Sequence, residues 1–142
     1  MSLTTRMAWL ADRRDWERLT EVFAERVDLD YTSLNGGEPA RLSSTDLVAG
    51  WRAGLGGLDA TQHLLSSHLV EVVGDRGVAN AQFQAVHVLA NPYGDPTWTL
   101  GGHYRYGLVR RANAWRIDAV TMTVTWASGN RQIMTLAAEG AP

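Results

Sequence analysis

The chain contains no cysteine, so disulfides, thiol chemistry and a thiolate zinc site are excluded. No apolar run approaches the roughly 20 residues that cross a bilayer. The first ten residues lack the long apolar core and cleavage site of a signal peptide, so a soluble cytoplasmic protein is the expectation. Charge of one sign is also scarce. A formal net charge of −2 offers no electrostatic pull toward nucleic acid or an anionic membrane. Neither Gly-x-Gly-x-x-Gly nor a phosphate-binding loop occurs, which speaks against a nucleotide cofactor. The Gly-x-Ser-x-Gly elbow of nucleophilic hydrolases is missing as well. No His-x-His or His-x-x-x-His spacing supports a metal, so neither metal nor organic cofactor is expected. Internal repeats, linkers and low-complexity segments are all lacking.

What is present is one ordinary domain of 142 residues, 45% hydrophobic and 20% charged, enough to bury a real core. Six tryptophans are spread along it, which suits an aromatic-lined cavity for a small hydrophobic or aromatic ligand. Trp9, Trp51 and Trp126 are the candidates for its wall.

Along the chain, residues 3–11 read as a short helix with Leu3, Met7 and Leu10 or Ala11 on one face. Asp12-Arg13-Arg14-Asp15 interrupts it, leaving Asp12 at a corner where its side chain can turn inward. Asp15 is a good N-cap for a second helix from Trp16 to about residue 25. Residues 27–34 alternate as a half-buried strand that puts Tyr31 on the apolar face. Asn35-Gly36-Gly37 is a turn, residues 38–43 a loop, and Ser44 or Thr45 caps a third helix from Asp46 to about residue 53. Then come strands: 68–73, a Gly74-Asp75-Arg76-Gly77 turn, 78–89, 97–110 and 115–126. Short turns between them imply an antiparallel meander. Helices first and a meander after them indicate α+β, about three N-terminal helices on a curved, mostly antiparallel sheet. Residues 128–142 are weakly helical at best and are expected to be a fraying tail.

The acid–base candidates are four histidines. His63 lies in Ala60-Thr61-Gln62-His63-Leu64-Leu65, among apolar neighbours that partly desolvate it. A carboxylate beside such an imidazole makes it a general base near neutral pH, and Asp12 is the candidate partner. His87 shares a strand face with Phe83 and Ala85. On the 97–110 strand, odd positions carry His103 and Arg105, which would project into the cavity if the odd face is concave; one bulge would reverse that parity. His68 reads as structural or solvated.

Several of these segments together resemble the SnoaL-like group of the NTF2-like superfamily, which includes scytalone dehydratase. They are Ala11-Asp12-Arg13-Arg14-Asp15-Trp16-Glu17-Arg18-Leu19, Leu29-Asp30-Tyr31-Thr32-Ser33, Ala60-Thr61-Gln62-His63, and Gly101-Gly102-His103-Tyr104 with Trp115-Arg116-Ile117. The resemblance implies a cone of helices closing over a curved sheet, with a pocket inside. It also implies a site in which Asp12 pairs with His63, while His87 and Tyr31 complete the constellation. A second tyrosine of the family, just before the aspartate, is Ala11 in this chain.

The activity so implied is a cofactor-independent lyase of dehydratase type, or an isomerase, acting on a small cyclic or aromatic hydroxy-ketone. The alternatives are a non-catalytic binding or assembly module with the same fold and an epoxide hydrolase built on Asp12, Arg105 and Asp118. A homo-oligomer, dimer or trimer, is expected.

Overall fold

The computed structural model describes residues 3–140. Helix α1 (Leu3–Asp12) buries Met7, Ala8, Leu10 and Ala11. Arg14, at φ 58°, makes the left-handed turn that ends it, and the Arg14 guanidinium donates to the Leu58 carbonyl. This fastens the corner to the start of the sheet. Asp15 then caps α2 (Trp16–Thr20), its carboxylate accepting from the Arg18 N–H.

The expected helix to residue 25 stops five residues short. Val22, Phe23 and Ala24 are all buried, a run that one helical stripe cannot accommodate. The chain instead enters strand β1 (Phe23–Asp30), beside β6. Tyr31 therefore sits just beyond the strand, at the N-cap of the single turn α3 (Thr32–Asn35). Asp30 shapes this exit by accepting from both the N–H and the hydroxyl of Thr32.

The expected loop at 38–43 contains an edge strand, β2 (Ala40–Ser43), antiparallel to β1. Helix α4 (Ser44–Leu55) follows, capped by Ser43 rather than Ser44 or Thr45. Four strands complete the sheet: β3 (Ala60–Val73), β4 (Arg76–Val88), β5 (Thr97–Arg111) and β6 (Ala114–Gly129). The order is β2-β1-β6-β5-β4-β3, with the β1–β6 pair parallel and every other pair antiparallel. This is an α+β architecture on a six-stranded mixed sheet. Residues 3–55 carry four helices rather than about three.

The C-terminal segment differs most from expectation. It forms helix α5 (Gln132–Gly140), with Ile133 and Ala137 buried. Asn130 starts it, its side-chain oxygen accepting from the Gln132 N–H while its amide donates to the Asp95 carbonyl. Gly57 lets α5 approach closely, because a Cβ there would lie 2.1 Å from the Ala137 carbonyl oxygen. A nine-residue helix is marginal alone; packing on α4 makes it.

Bulges fix which side chains face the helices. On β3 the register slips between Ser66 and Leu69, with Ser67 at φ 55°. His68 thereby turns toward α1, and its Nε2 lies 3.0 Å from the Thr4 hydroxyl, a structural role. On β6 the register skips Thr125, since Gly102 faces Val124 and Gly101 faces Trp126. No helix of the described residues is long and apolar enough to cross a membrane.

Candidate active site

Asp12 ends α1, and its carboxylate faces β3. Its Oδ1 accepts from the Thr61 hydroxyl at 2.9 Å and from Nδ1 of His63 at 2.7 Å. Its Oδ2 accepts from the His63 backbone N–H at 2.7 Å. Three donors converge on one carboxylate, so its orientation is determined on every side. Because a carboxylate only accepts, Nδ1 of His63 carries the hydrogen and Nε2 is left with its lone pair. The alternation of β3 explains the placement. Thr61, His63 and Leu65 face inward, while Gln62, Leu64 and Ser66 are exposed. The sequence places His63 before a strand; the structure places it inside one.

His63 lines a cavity of about 160 Å³ beneath α1 and α4. The cavity wall includes Ala11, Tyr31, Trp51, His87, Tyr104 and Met134. A more open groove of about 520 Å³ between α1 and β3 reaches the same pair from outside, lined by Trp9, Arg13, Asp12, Thr61 and His63.

His87 projects from β4 on the same face as Phe83 and Ala85, all three buried. Its ring meets that of His63 edge-on, with centroids 6.0 Å apart. The Nδ1–H of His87 donates to the Trp98 carbonyl at 3.0 Å, leaving Nε2 as the free nitrogen. Burial lowers its pKa below the ordinary 6.5, and His63 adds to that; the Trp98 hydrogen bond and Asp12 oppose it. His87 is therefore neutral near pH 7, and the ring is an acceptor in the resting site.

That shift predicts a pH dependence of stability. The unfolded chain takes up a proton at position 87 at an ordinary histidine value, whereas the native state takes it up only at lower pH. Stability from this group is whole above about 6.5 and is lost as the pH falls toward the depressed native value. The slope it contributes is at most about 1.4 kcal/mol per pH unit. Urea unfolding at about pH 7.5 and about pH 5.5 should show a larger loss in wild type than in His87→Gln. Equal losses would remove the linkage.

Tyr31 and Tyr104 both line the cavity. Burial pushes both hydroxyls above their usual range, so both stay protonated. Tyr104 is 3% exposed, and its ring stacks against Phe83 at 4.5 Å.

The structure brings His63, His87, Tyr31 and Trp51 into one cavity wall, with Asp12 bonded to His63 from the outer groove. It does not bring in the remaining candidates. On β5 the even positions Trp98, Leu100, Tyr104, Tyr106 and Leu108 form a buried row, and His103 and Arg105 are exposed on the opposite face. The expectation that they project into the cavity is corrected. Trp126 is corrected too. The Thr125 bulge turns it over Gly101, where a Cβ would lie 1.9 Å from the indole nitrogen, and it remains 47% exposed. Trp9 is 58% exposed and stacks under Arg13 at 4.1 Å, so it borders the outer groove rather than the cavity.

Asp118 pairs with Arg76 at 3.2 Å and Arg105 faces outward, so the epoxide hydrolase trio is not assembled. Sequence reasoning missed Tyr104. The signal was the two-residue period of β5, whose even positions are almost wholly aromatic or aliphatic. No group of three or more metal-ligating side chains forms among the described residues.

The family model for the SnoaL-like domain matches residues 1–121. The chain belongs to the SnoaL-like domain family. Its fold is that of NTF2-like proteins. Kfla4162 from Kribbella flavida is 29% identical, with a TM-score of 0.86 over 95% of this chain and 91% of that one. A Novosphingobium aromaticivorans protein provisionally assigned as a scytalone dehydratase is 17% identical, with a TM-score of 0.73 over 91% and 83%. Hexachlorocyclohexane dehydrochlorinase LinA-type3 from Novosphingobium barchaimii is 14% identical, with a TM-score of 0.70 over 91% and 86%. The last two likenesses are of fold. No curated protein matches the chain.

Proposed function

We propose that this SnoaL-like protein is a cofactor-independent lyase of dehydratase type, or an isomerase, for a small cyclic or aromatic hydroxy-ketone. The observation that carries this reading is the 2.7 Å bond from His63 Nδ1 to Asp12 at the wall of the cavity beneath α1 and α4. It leaves Nε2 as a base and stabilises the imidazolium formed when a proton is taken. Two of the structural relatives carry names that denote eliminations, of water and of hydrogen chloride, which supports the class and not the substrate.

In the reaction we envisage, Nε2 of His63 removes the proton α to the substrate carbonyl. The electron pair passes to the carbonyl oxygen, giving an enolate. A Tyr31 O–H donated to that oxygen contributes a few kcal/mol if preorganised. Collapse of the enolate expels the β-hydroxyl, which leaves as water with the proton held by His63. Ketone becomes enone plus water, and the base is regenerated. Return of the proton to another carbon gives isomerisation instead. Neutral His87 presents an acceptor nitrogen suited to a substrate hydroxyl.

The test is a panel of cyclic β-hydroxy-ketones scored by appearance of the conjugated enone absorbance. A member turned over by wild type should be turned over at least about a hundredfold more slowly by His63→Gln. Equal rates in the two proteins would reject the base, and a panel that binds without turning over would favour the binding module.

A further inference from the structure

The resemblance implies two tyrosines at the site, and Ala11 stands where one of them would be. Ala11 is buried and lines the cavity, so nothing at that position can donate a hydrogen bond to a ligand. A phenol is nonetheless present on another element.

We infer that Tyr104 is the second phenol of the site, reaching the cavity from β5 opposite the missing side chain and working as a pair with Tyr31 to bind a substrate oxygen that becomes anionic. This rests on the enolate reading above. Both rings line the cavity that His63 and His87 also line. They come from separate parts of the fold, Tyr31 from the exit of β1 and Tyr104 from the centre of the sheet.

A Tyr104 O–H donated to an oxyanion beside that of Tyr31 adds a second preorganised donor. The surroundings hold the donor still. Tyr104 lies between Phe83 and Tyr106, with centroids at 4.5 Å and 5.4 Å. A cavity of about 160 Å³ has about the size that holds a single six-membered ring. The ligand class is then a compact ring bearing one carbonyl or phenolic oxygen.

Tyr106 provides the control. It is fully buried, and among the described residues its hydroxyl is the one buried side-chain polar atom with no hydrogen-bond partner. It is not part of the cavity wall.

The probe is p-nitrophenol, whose phenolate is read directly by its visible absorbance, with nitrobenzene as a neutral ring of similar size. Wild type should bind the phenolate. Tyr104→Phe should weaken phenolate binding by about tenfold to a hundredfold and leave nitrobenzene binding unchanged. Tyr106→Phe should change neither.

The proposal is overturned if wild type binds no phenolate or if Tyr104→Phe binds it as well as wild type. A parallel fall for phenolate and nitrobenzene, or an equal phenolate loss in Tyr106→Phe, overturns it too. Binding is read here without turnover, so failure to find a substrate leaves the phenol result standing. Loss of the phenol result equally leaves the His63→Gln comparison intact.

Discussion

Asp12→Asn should lower turnover by about a thousandfold to ten-thousandfold while leaving the protein folded, and should switch the His63 ring to its other tautomer. The three hydrogen bonds on Asp12 dictate this. An asparagine has one oxygen to replace two. The His63 backbone N–H, now bonded to Oδ2, can only donate, so the asparagine oxygen settles there. Its NH2 group then occupies the place of Oδ1, facing the Thr61 hydroxyl and His63 Nδ1.

Threonine adapts by rotating its hydroxyl to accept. The imidazole can accept only by moving its hydrogen from Nδ1 to Nε2, and a protonated Nε2 in a neutral ring is no base. The check is ¹⁵N NMR of the histidine side chains, with the His63 signals assigned by their loss in His63→Gln. Wild type should show Nδ1 protonated and Asp12→Asn should show Nε2 protonated. Retention of the wild-type tautomer with near-normal turnover would mean that Asp12 only props the ring.

The Asp12–His63 pair is legible in the sequence because its geometry is local at each end. A helix stop at Asp12-Arg13-Arg14 and an inward position on a Thr-Gln-His segment each depend on a few neighbouring residues, and the resemblance joined them. His87 and Tyr31 were readable for the same reason. What could not be read depended on pairing between distant strands. The inward face of β5 follows from a period of two, yet Trp126 on its neighbour breaks that period at the Thr125 bulge, which no local pattern marks. Likewise Trp16, Leu19, Val22 and Phe23 fit a helical stripe, and only the pairing of β1 with β6 draws Phe23 into the sheet and buries Ala24 beside it. Tertiary contact overrides propensity there.

The C-terminal helix shows the same rule, and it carries the second large effect. Ile133→Ala should destabilise the protein by about 2–5 kcal/mol, although residue 133 lies in a segment that reads from sequence as a fraying tail. Ile133 is 0% exposed. Its removal would leave a void between α5 and the core, at a place where relaxation is restricted. Asn130 ties the start of α5 to the Asp95 carbonyl, and Gly57 brings its Ala137 turn into direct backbone contact, so the helix cannot simply settle into the gap. The consequence extends to the site, because Met134 on the same helix lines the cavity beside Tyr31 and His63. Urea unfolding of Ile133→Ala against wild type measures the first effect, and nitrobenzene affinity of the folded variant measures the second, which should fall. A loss of stability below about 1 kcal/mol would instead be the behaviour of an exposed position, and α5 would then have no part in closing the cavity.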